Sequence, residues 1–368
     1  MTTLIAEKRE EARRLLPEMH LPSRQHESWR RVNLGALDIK RYTTTGTIIE
    51  ILEKRGAEIL EGDAAYSQAI LWEGAPEDLF DCANLAEAKT ILIKVETSAH
   101  VRIKHSMGSN ANGLHHRIYV MVPEGADASI IEETQGRPGD STFWNLHTEI
   151  YAGAGSSVRH LSIRGYEGNE WNLHRLRILQ KRDSTVHCSL VHSSGQTGKT
   201  FVTSRLAESG STFRGVGMTT LGKREFLDVE MTAEHIADHT SSSLHYKTVL
   251  KGRAHSVFNG NLLIPPGVRD VQSQQINNNI LLDSQARAES QPRLVIQSEE
   301  VSAEHGATVG EIDRDALFFL MSRGIPEAEA RQLLMTGFLT QITEELPLSE
   351  AEKEKIVSEF LKRLYEST

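Results

Sequence analysis

The segment Ser193-Ser194-Gly195-Gln196-Thr197-Gly198-Lys199-Thr200 is similar to a phosphate-binding loop. It matches the pattern G-x-x-x-x-G-K-[ST], except that Ser193 stands where the first glycine is expected. A phosphate loop needs a helix next, because the N-terminal amides of that helix face the phosphates. The residues that follow are Phe201-Val202-Thr203-Ser204, which are types typical of a strand. We therefore predict a solvated turn here and no ATP bound by this chain.

Histidines are a second source of chemistry, because imidazole is the commonest metal ligand in proteins. The chain has 16 histidines. Four of them are concentrated in one region: His235, His239, His245 and His255. The pair His235 and His239 would share one face of a helix, but the region has the composition of strands, in which the two would lie ~13 Å apart. We expect exposed or hydrogen-bonded histidines on the outside of the fold.

Cys82 and Cys188 are the only cysteines. Structural zinc and iron–sulfur sites usually need about four ligands, so a cysteine-based metal site made by this chain alone is excluded. A disulfide is not expected in a reducing compartment. Because Cys188 alternates with Val186 and Leu190, we predict that it faces the interior as a small buried hydrophobe.

The stretch Val301–Gly310 carries the adjacent side chains Glu304 and His305, both of which can bind a metal. Considered alone, a histidine that precedes a glycine is typical of a turn. The elements that position such residues must be read from the rest of the chain.

A repeat organises the middle of the chain. The phrase Trp-Asn-Leu-His occurs at Trp144–His147 and at Trp171–His174, 27 residues apart. A small hydroxyl residue followed by an apolar one recurs at Ser129, Ser157, Thr185 and Thr212, at intervals of 28, 28 and 27. A period of this size predicts stacked units that bury their apolar faces against one another. No helix-period segment interrupts residues 99–310, so we predict a mainly β fold, a parallel β-helix (solenoid).

Three regions follow from this pattern. Residues 1–95 form an N-terminal helical and α/β region, residues 96–312 the β-helix core, and residues 313–368 a C-terminal helical region. In the first region we predict helices over 4–16, Thr47–Arg55 (capped by Gly56) and Ala64–Ile70, and a short buried strand over Thr90–Val95. In the last region, three helices are predicted before Gly324, after Pro326 and from the capping box Ser349 to Glu352. We expect these helices to cap the open end of the solenoid.

Composition excludes several classes of protein. The 368 residues exceed the ~250–300 at which one compact core stops growing, which agrees with a central body and appendages. The net charge of −9 argues against a nucleic-acid binder. No run of 18 apolar residues predicts a membrane span, and the charged first twenty residues hold no secretory signal, so we expect a cytoplasmic protein.

The end of the predicted solenoid resembles the C-terminal motif of the SufB/SufD family. The motif is His305-Gly306-Ala307-Thr308-Val309-Gly310, followed by Ala316-Leu317-Phe318-Phe319-Leu320 and Ser322-Arg323-Gly324-Ile325. Supporting matches are residues 274–282, residues 244–247 and the loop from Pro22 to Arg30. The resemblance covers most of the chain and is most specific over residues 235–340. It is closest to SufD, because Gly306 follows the histidine and the cysteine-rich segment often seen in SufB is missing.

The resemblance implies a right-handed β-helix flanked by helical segments, in a complex that assembles iron–sulfur clusters. It implies that the chain pairs with a SufB-like subunit through the β-helix ends, with a homodimer left open. It also implies that the C-terminal helices dock a SufC-like ABC ATPase. Candidate docking or core residues there, which sequence does not separate, are Leu333, Leu334, Phe338 and Ile342.

By the same resemblance, His305 matches a histidine of the family proposed as a cluster ligand between subunits. Glu304 is the other ligand-capable side chain beside it, and Ala303 stands where SufD proteins commonly have cysteine. A transient iron–sulfur cluster shared with the partner subunit is therefore implied, with thiolate supplied by that partner. Imidazole can replace thiolate on iron, as in Rieske centres.

The prediction from sequence is a non-enzymatic scaffold subunit of the SUF system, with ATP hydrolysis supplied by a partner. The main alternative is a β-helix enzyme acting on carbohydrate or acyl groups, which would line one face of the solenoid with a carboxylate or basic cluster. A second alternative is an ATPase that uses Lys199.

Overall fold

The computed structural model describes residues 4–44, 46–62, 64–65, 75–135, 141–165, 169–193 and 195–366. Within these ranges the strands are β1 Thr47–Glu61, β2 Lys89–Met107, β3 Gly113–Val122, β4 Asp127–Gln135, β5 Phe143–Ala152, β6 Ser157–Gly165, β7 Trp171–Gln180, β8 Thr185–Ser193, β9 Thr197–Leu206, β10 Thr212–Leu221, β11 Phe226–His235, β12 Ser241–Leu250, β13 His255–Ile264, β14 Val271–Leu281, β15 Arg287–Ile296 and β16 Val301–Gly310. The helices are α1 Leu4–Leu15, α2 Leu79–Glu87, α3 Arg314–Ser322, α4 Glu327–Thr343 and α5 Glu350–Glu366.

Strands β2 to β16 form a parallel β-solenoid. Odd-numbered strands from β3 to β15 make one face, and even-numbered strands from β4 to β16 make the other. The long β2 begins both faces, because its first part pairs with β3 and its second part with β4. A chain that alternates between two parallel faces must coil, so the predicted solenoid is confirmed. The coil length varies: Trp171 pairs with Thr197, whereas His255 pairs with Arg287.

The repeated Trp-Asn-Leu-His phrase is one residue out of register with the structural repeat. Trp171 lies opposite Phe143, not opposite Trp144. A shift of one residue turns a strand's side chains to the opposite face. Trp144 therefore packs inward with Leu114, whereas Trp171 packs on the outer surface with Phe143. The phrase indicated the correct architecture, but its two copies are not equivalent positions.

The predicted helix over Thr47–Arg55 is wrong, because these residues belong to β1, which runs antiparallel to β2. Gly56 has φ +62°, as a helix cap would, but it lies at a shift of register in the strand pair. A Cβ at this position would collide with the carbonyl oxygen of Ser98. Gly56 is thus the glycine of a β-bulge.

Other predictions for the N-terminal region have mixed outcomes. Most of the predicted helix over Ala64–Ile70 lies outside the described residues. The predicted strand over Thr90–Val95 is confirmed, but as part of the longer β2. The N-terminal segment and α2 cover the outer surface of the odd face, where Trp29 packs with Phe80 in a cluster that includes Leu173.

The C-terminal helices lie against the outer surface of the even face. Ile342 and Phe360 pack in one cluster with Val216 and Met218 of β10. These strand residues alternate with Phe213, which faces the interior core. The expectation that the helices cap the open end of the solenoid is therefore wrong. Within the described part of the chain, none of the helices has both the length and the apolar character needed to cross a membrane.

Candidate functional site

The solenoid ends in two edge strands. β15 pairs with β13 and β16 pairs with β14, and neither has a second neighbour among the described residues. Most side chains of β16 are exposed. An edge strand presents a row of free backbone N–H and C=O groups, which is a template for pairing with another chain. We call β15 and β16 together the open end.

His305 lies on the inward-facing side of β16. It pairs with Gln275, which pairs with Leu244 of the interior core. Ala303, on the same side, packs against that core. His305 itself is exposed, because no further coil covers it within the described chain. Its imidazole therefore stands at the mouth of the lumen, on the surface that a partner at the open end would contact.

Glu304 points to the opposite side of the strand. It lines a groove on the outer surface with Arg214, Ser243 and Gln274. Successive side chains of a strand alternate between the two faces. The structure therefore does not bring the two candidate ligands, His305 and Glu304, toward one metal ion. Among the described residues, none of the His, Cys, Asp and Glu side chains form a group of three or more that could hold a metal.

Both cysteines are buried, as predicted for Cys188. Cys188 lies inside the interior core, and burial raises the pKa of its thiol. Cys82 donates to the carbonyl oxygen of Ala12 at 3.3 Å, and burial raises its pKa to about 11. Neither thiol is positioned to join His305 as a ligand.

The structure separates the four docking candidates on α4. Ile342 is fully buried, and Leu334 and Phe338 are partly buried against the cluster between helices and sheet. The Lys247 ammonium lies 4.4 Å from the centre of the Phe338 ring. Only Leu333 is substantially exposed, at 47%. Three of the four candidates therefore hold α4 on the solenoid.

Sequence analysis missed the most exposed apolar residues of this region. Phe318 is 72% exposed, Phe319 56% and Met321 41%, all on α3. A signal was present, because consecutive residues of a helix point about 100° apart and a run of five apolar residues cannot share one buried face. We call Phe318, Phe319, Met321 and Leu333 the exposed apolar residues of α3 and α4.

Polar contacts fix the helices to the even face. Glu352 of α5 accepts from Arg102 at 2.6 Å, and Arg363 donates to Glu225 at 2.6 Å. Lys247 donates to the carbonyl oxygen of Phe338 at 2.9 Å, and burial lowers the pKa of Lys247 to about 8. Because these contacts come from both α4 and α5, the helices and the solenoid form one packed unit.

The segment similar to a phosphate loop runs from β8 into β9, and the predicted strand after it is confirmed; Ser194 lies outside the described residues. The predicted solvated turn is wrong for Thr197–Thr200, which belong to β9, and Lys199 is fully buried on the outer side of that strand. Its ammonium lies 3.0 Å from Asp228 and 3.2 Å from Glu230. The charge of Lys199 is thus compensated by carboxylates of the neighbouring strand.

Three of the four clustered histidines, His235, His239 and His255, have separate partners. His235 is buried and hydrogen-bonded to Thr240 and Ser242, whereas His239 is exposed and lies 3.0 Å from Asp270. His255 lies 3.0 Å from Glu289. The expectation of exposed or hydrogen-bonded histidines on the outside of the fold is confirmed for His239 and His255, but it is wrong for His235, which is buried on the inward side of β11.

Fold and geometry together define the class: a parallel β-solenoid with an open strand end and a helical outer layer. The family model described as SUF system FeS cluster assembly, SufBD core domain, matches residues 86–338. The chain belongs to this family.

Individual relatives agree. The chain is similar to the iron–sulfur cluster assembly SufBD family protein slr0076 of Synechocystis, at 27% identity over 63% of this chain and 53% of the relative. It is also similar to SufD of Escherichia coli, at 26% identity over 70% of this chain and 60% of the relative. SufD of Bacillus subtilis is 28% identical over 72% of this chain and 61% of the relative. The chain thus spans between half and two thirds of these relatives.

Proposed function

We propose that the protein is a non-catalytic, cytoplasmic scaffold subunit of an iron–sulfur cluster assembly complex, and that it binds no ATP itself. Membership of the SufBD core family supports a role in this assembly. The observation that carries the proposal is the open end, where β15 and β16 have free edges beside the exposed His305. A scaffold needs surfaces for other subunits, and this end offers one formed by backbone and side chains together.

The partner at the open end is a SufB-like subunit, with a second copy of this chain as the alternative. Relatives named SufB and SufD in Bacillus subtilis both match this chain, which supports pairing between two subunits of related sequence. Edge strands of two solenoids can pair and continue the sheet without a change of fold. The expected complex has one partner per chain at this end.

His305 is proposed to bind the transient cluster together with ligands of the partner subunit. The chemistry of the donor set fits a shared site and not a complete one, because Glu304 faces away and Ala303 has no thiol. Mixed ligation by imidazole and thiolate is known for iron–sulfur centres. A cluster that is held partly by each subunit can be released when the subunits move apart. Such release is needed because a scaffold must transfer its cluster to another protein.

The C-terminal helices are proposed to dock a SufC-like ABC ATPase. The exposed apolar residues of α3 and α4 support this, because scattered exposure of single apolar residues is ordinary but two adjacent exposed phenylalanines are not. Aromatic side chains of this kind dominate the energetics of protein interfaces.

Co-purification with candidate SufB and SufC proteins from the same source tests the proposal, with His305→Ala as the variant. We expect the complex to form and cluster maturation on an apo-protein to fall by about tenfold or more, since one ligand is lost. Glu304→Ala is the matched control on the other side of the same strand and should leave maturation unchanged. Full maturation with His305→Ala would exclude His305 as a ligand, and failure of the wild-type chain to bind either partner would refute the scaffold role.

A further inference from the structure

The lumen of the solenoid holds a polar cluster around Glu132, which is fully buried on β4. Its Oε1 lies 2.7 Å from His160 Nε2 and accepts from Thr148 at 2.7 Å. Its Oε2 lies 3.0 Å from His105 Nε2 and 3.4 Å from Arg164 Nη2. Burial raises the pKa of Glu132, but hydrogen bonds from His105 and His160, together with the electrostatic attraction of His160 and Arg164, hold this pKa well below its usual value. Each oxygen of this carboxylate therefore already has two hydrogen-bonding partners.

Arg164 is left with most of its donors unused. It is 1% exposed, and only its Nη2 has hydrogen-bond partners, namely Glu132 at 3.4 Å and His174 at 3.3 Å. Among the described residues, none accepts a hydrogen bond from Nε or Nη1. A buried guanidinium needs acceptors for its N–H groups and an opposite charge close by. In the part of the chain that the structure describes, the only carboxylate in contact with Arg164 is Glu132, which lies at the long limit for a hydrogen bond and also binds three other donors.

The side chains around these free N–H groups are neutral and rich in donors. His192 pairs with Arg164 on the next coil, and Thr134 pairs with it on the previous one. His174 faces Arg164 from the odd face and is followed by Thr200 on the next coil. These neighbours are all buried, and atoms of each lack a partner in the described chain: both ring nitrogens of His192, Nδ1 of His174, and the hydroxyls of Thr134 and Thr200.

The neighbouring histidines are neutral. Burial and the nearby Arg164 charge hold the pKa of His192 at about 3, and the same two causes hold that of His174 well below its usual value. A neutral imidazole has one N–H to donate. The site thus combines one undercompensated cation with hydroxyl and imidazole donors from both faces, on successive coils about 4.8 Å apart.

We propose that this part of the lumen is a binding site for one small monovalent anion of halide size, held by Arg164 Nε and Nη1, His192, His174 and Thr200. A single guanidinium calls for a single negative charge, and buried polar atoms without a partner in the described chain lie beside it on both faces. Charge-assisted hydrogen bonds to the anion are stronger than those to water, which favours an anion here. The inward row continues toward the open end as a series of polar residues: His192, Thr219, Thr248 and Asn279.

Crystals of the full chain grown in sodium bromide test the proposal without any substitution. Bromide scatters anomalously, so we expect one anomalous peak in the lumen within hydrogen-bond distance of Arg164 and His192. Density of a water molecule at these donors with no anomalous signal would overturn the proposal. Bromide found only on the outer surface would overturn it as well.

Solution measurements give a second readout. Thermal unfolding at constant ionic strength, with bromide replacing the larger gluconate, should show a midpoint that rises with bromide concentration, because a ligand bound only by the folded state stabilises it. We expect His192→Leu to lower bromide affinity by about tenfold or more. Thr248→Val, farther along the same row, is the matched control and should retain the wild-type response. An equal response in wild type and His192→Leu would contradict the assignment, and if that variant does not fold, the bromide crystals decide.

Discussion

Two substitutions on one helix distinguish residues that hold α4 from residues free to bind a partner. Ile342 is fully buried in the cluster between α4, α5 and β10. Truncation of a buried isoleucine to alanine removes its transfer free energy and leaves a cavity, which together cost about 2–5 kcal/mol. Leu333 keeps 47% of its surface exposed, so Leu333→Ala should lower the free energy of unfolding by less than about 1.5 kcal/mol.

The assay is urea unfolding of both variants, followed by circular dichroism at the helical band. The free energies are comparable only if the dependence on urea stays the same, so the slopes must be matched first. Ile342→Ala should unfold at a clearly lower urea concentration, and Leu333→Ala close to the wild type. A pull-down with the candidate ATPase is then made at a temperature where both variants are folded. In this assay Leu333→Ala should lose more binding than Ile342→Ala, although it is the more stable variant.

If both variants lower the free energy of unfolding by the same amount, Leu333 is not an exposed residue and the packing of α4 described here is wrong. Undiminished ATPase binding by Leu333→Ala combined with Phe318→Ala would refute the docking surface. An exposed interface aromatic typically contributes about 1–2 kcal/mol or more, so a real docking surface cannot lose both residues without a measurable change.

Three further outcomes follow from ion pairs and packing. Lys199→Ala should lower the free energy of unfolding by about 3–5 kcal/mol, because Asp228 and Glu230 lose their buried partner. In a separate titration calorimetry experiment, ATP should give no binding heat with the wild-type protein. Hydrogen bonds from Ser349 and Arg102 hold the pKa of Glu352 at about 2. Stability from its ionised form is present above the unfolded pKa and is lost as pH falls toward 2, so Glu352→Gln should flatten acid unfolding there. Gly217→Ala should lower the thermal midpoint, because its Cβ would collide with the Tyr246 ring.

The solenoid could be predicted from sequence because every coil carries the same physical requirement. Strands that are covered on both sides need inward and outward apolar residues, separated by turns at a nearly constant spacing. The register could not be predicted, because the coil length changes along the chain and a repeated phrase can fall one residue out of step. Trp144 and Trp171 illustrate this: both are buried, but on opposite sides of the same face.

The error over Thr47–Arg55 has a different cause. The apolar residues Ile48, Ile49 and Leu52 suit one helix face, yet a long neighbour, β2, was available to pair with the whole segment. Contacts of this kind are made by residues distant in sequence and outweigh local preference. Ile48 and Leu52 remain exposed at 48% and 42%, because apolar residues at helical spacing do not all fall on the buried side of a strand.

The candidate site was partly predictable. Once Val301–Gly310 is accepted as a strand, alternation alone requires His305 and Glu304 to face opposite sides. Alternation alone does not show which of the two side chains points to the lumen, because this depends on the pairing of His305 with Gln275. The exposed phenylalanines on α3 likewise became visible only when the packing of α4 and α5 on the even face was known.

The position of the C-terminal helices has a consequence for assembly. Had they capped the solenoid, a partner pairing with β16 would have had to displace them. They instead cover the outer surface of the even face, from Ile131 of β4 to Ile280 of β14, and Arg102 of β2 binds Glu352 of α5. Among the described residues most side chains of β16 are exposed and its second edge has no strand neighbour, so a partner could pair with this strand without displacing α4 and α5.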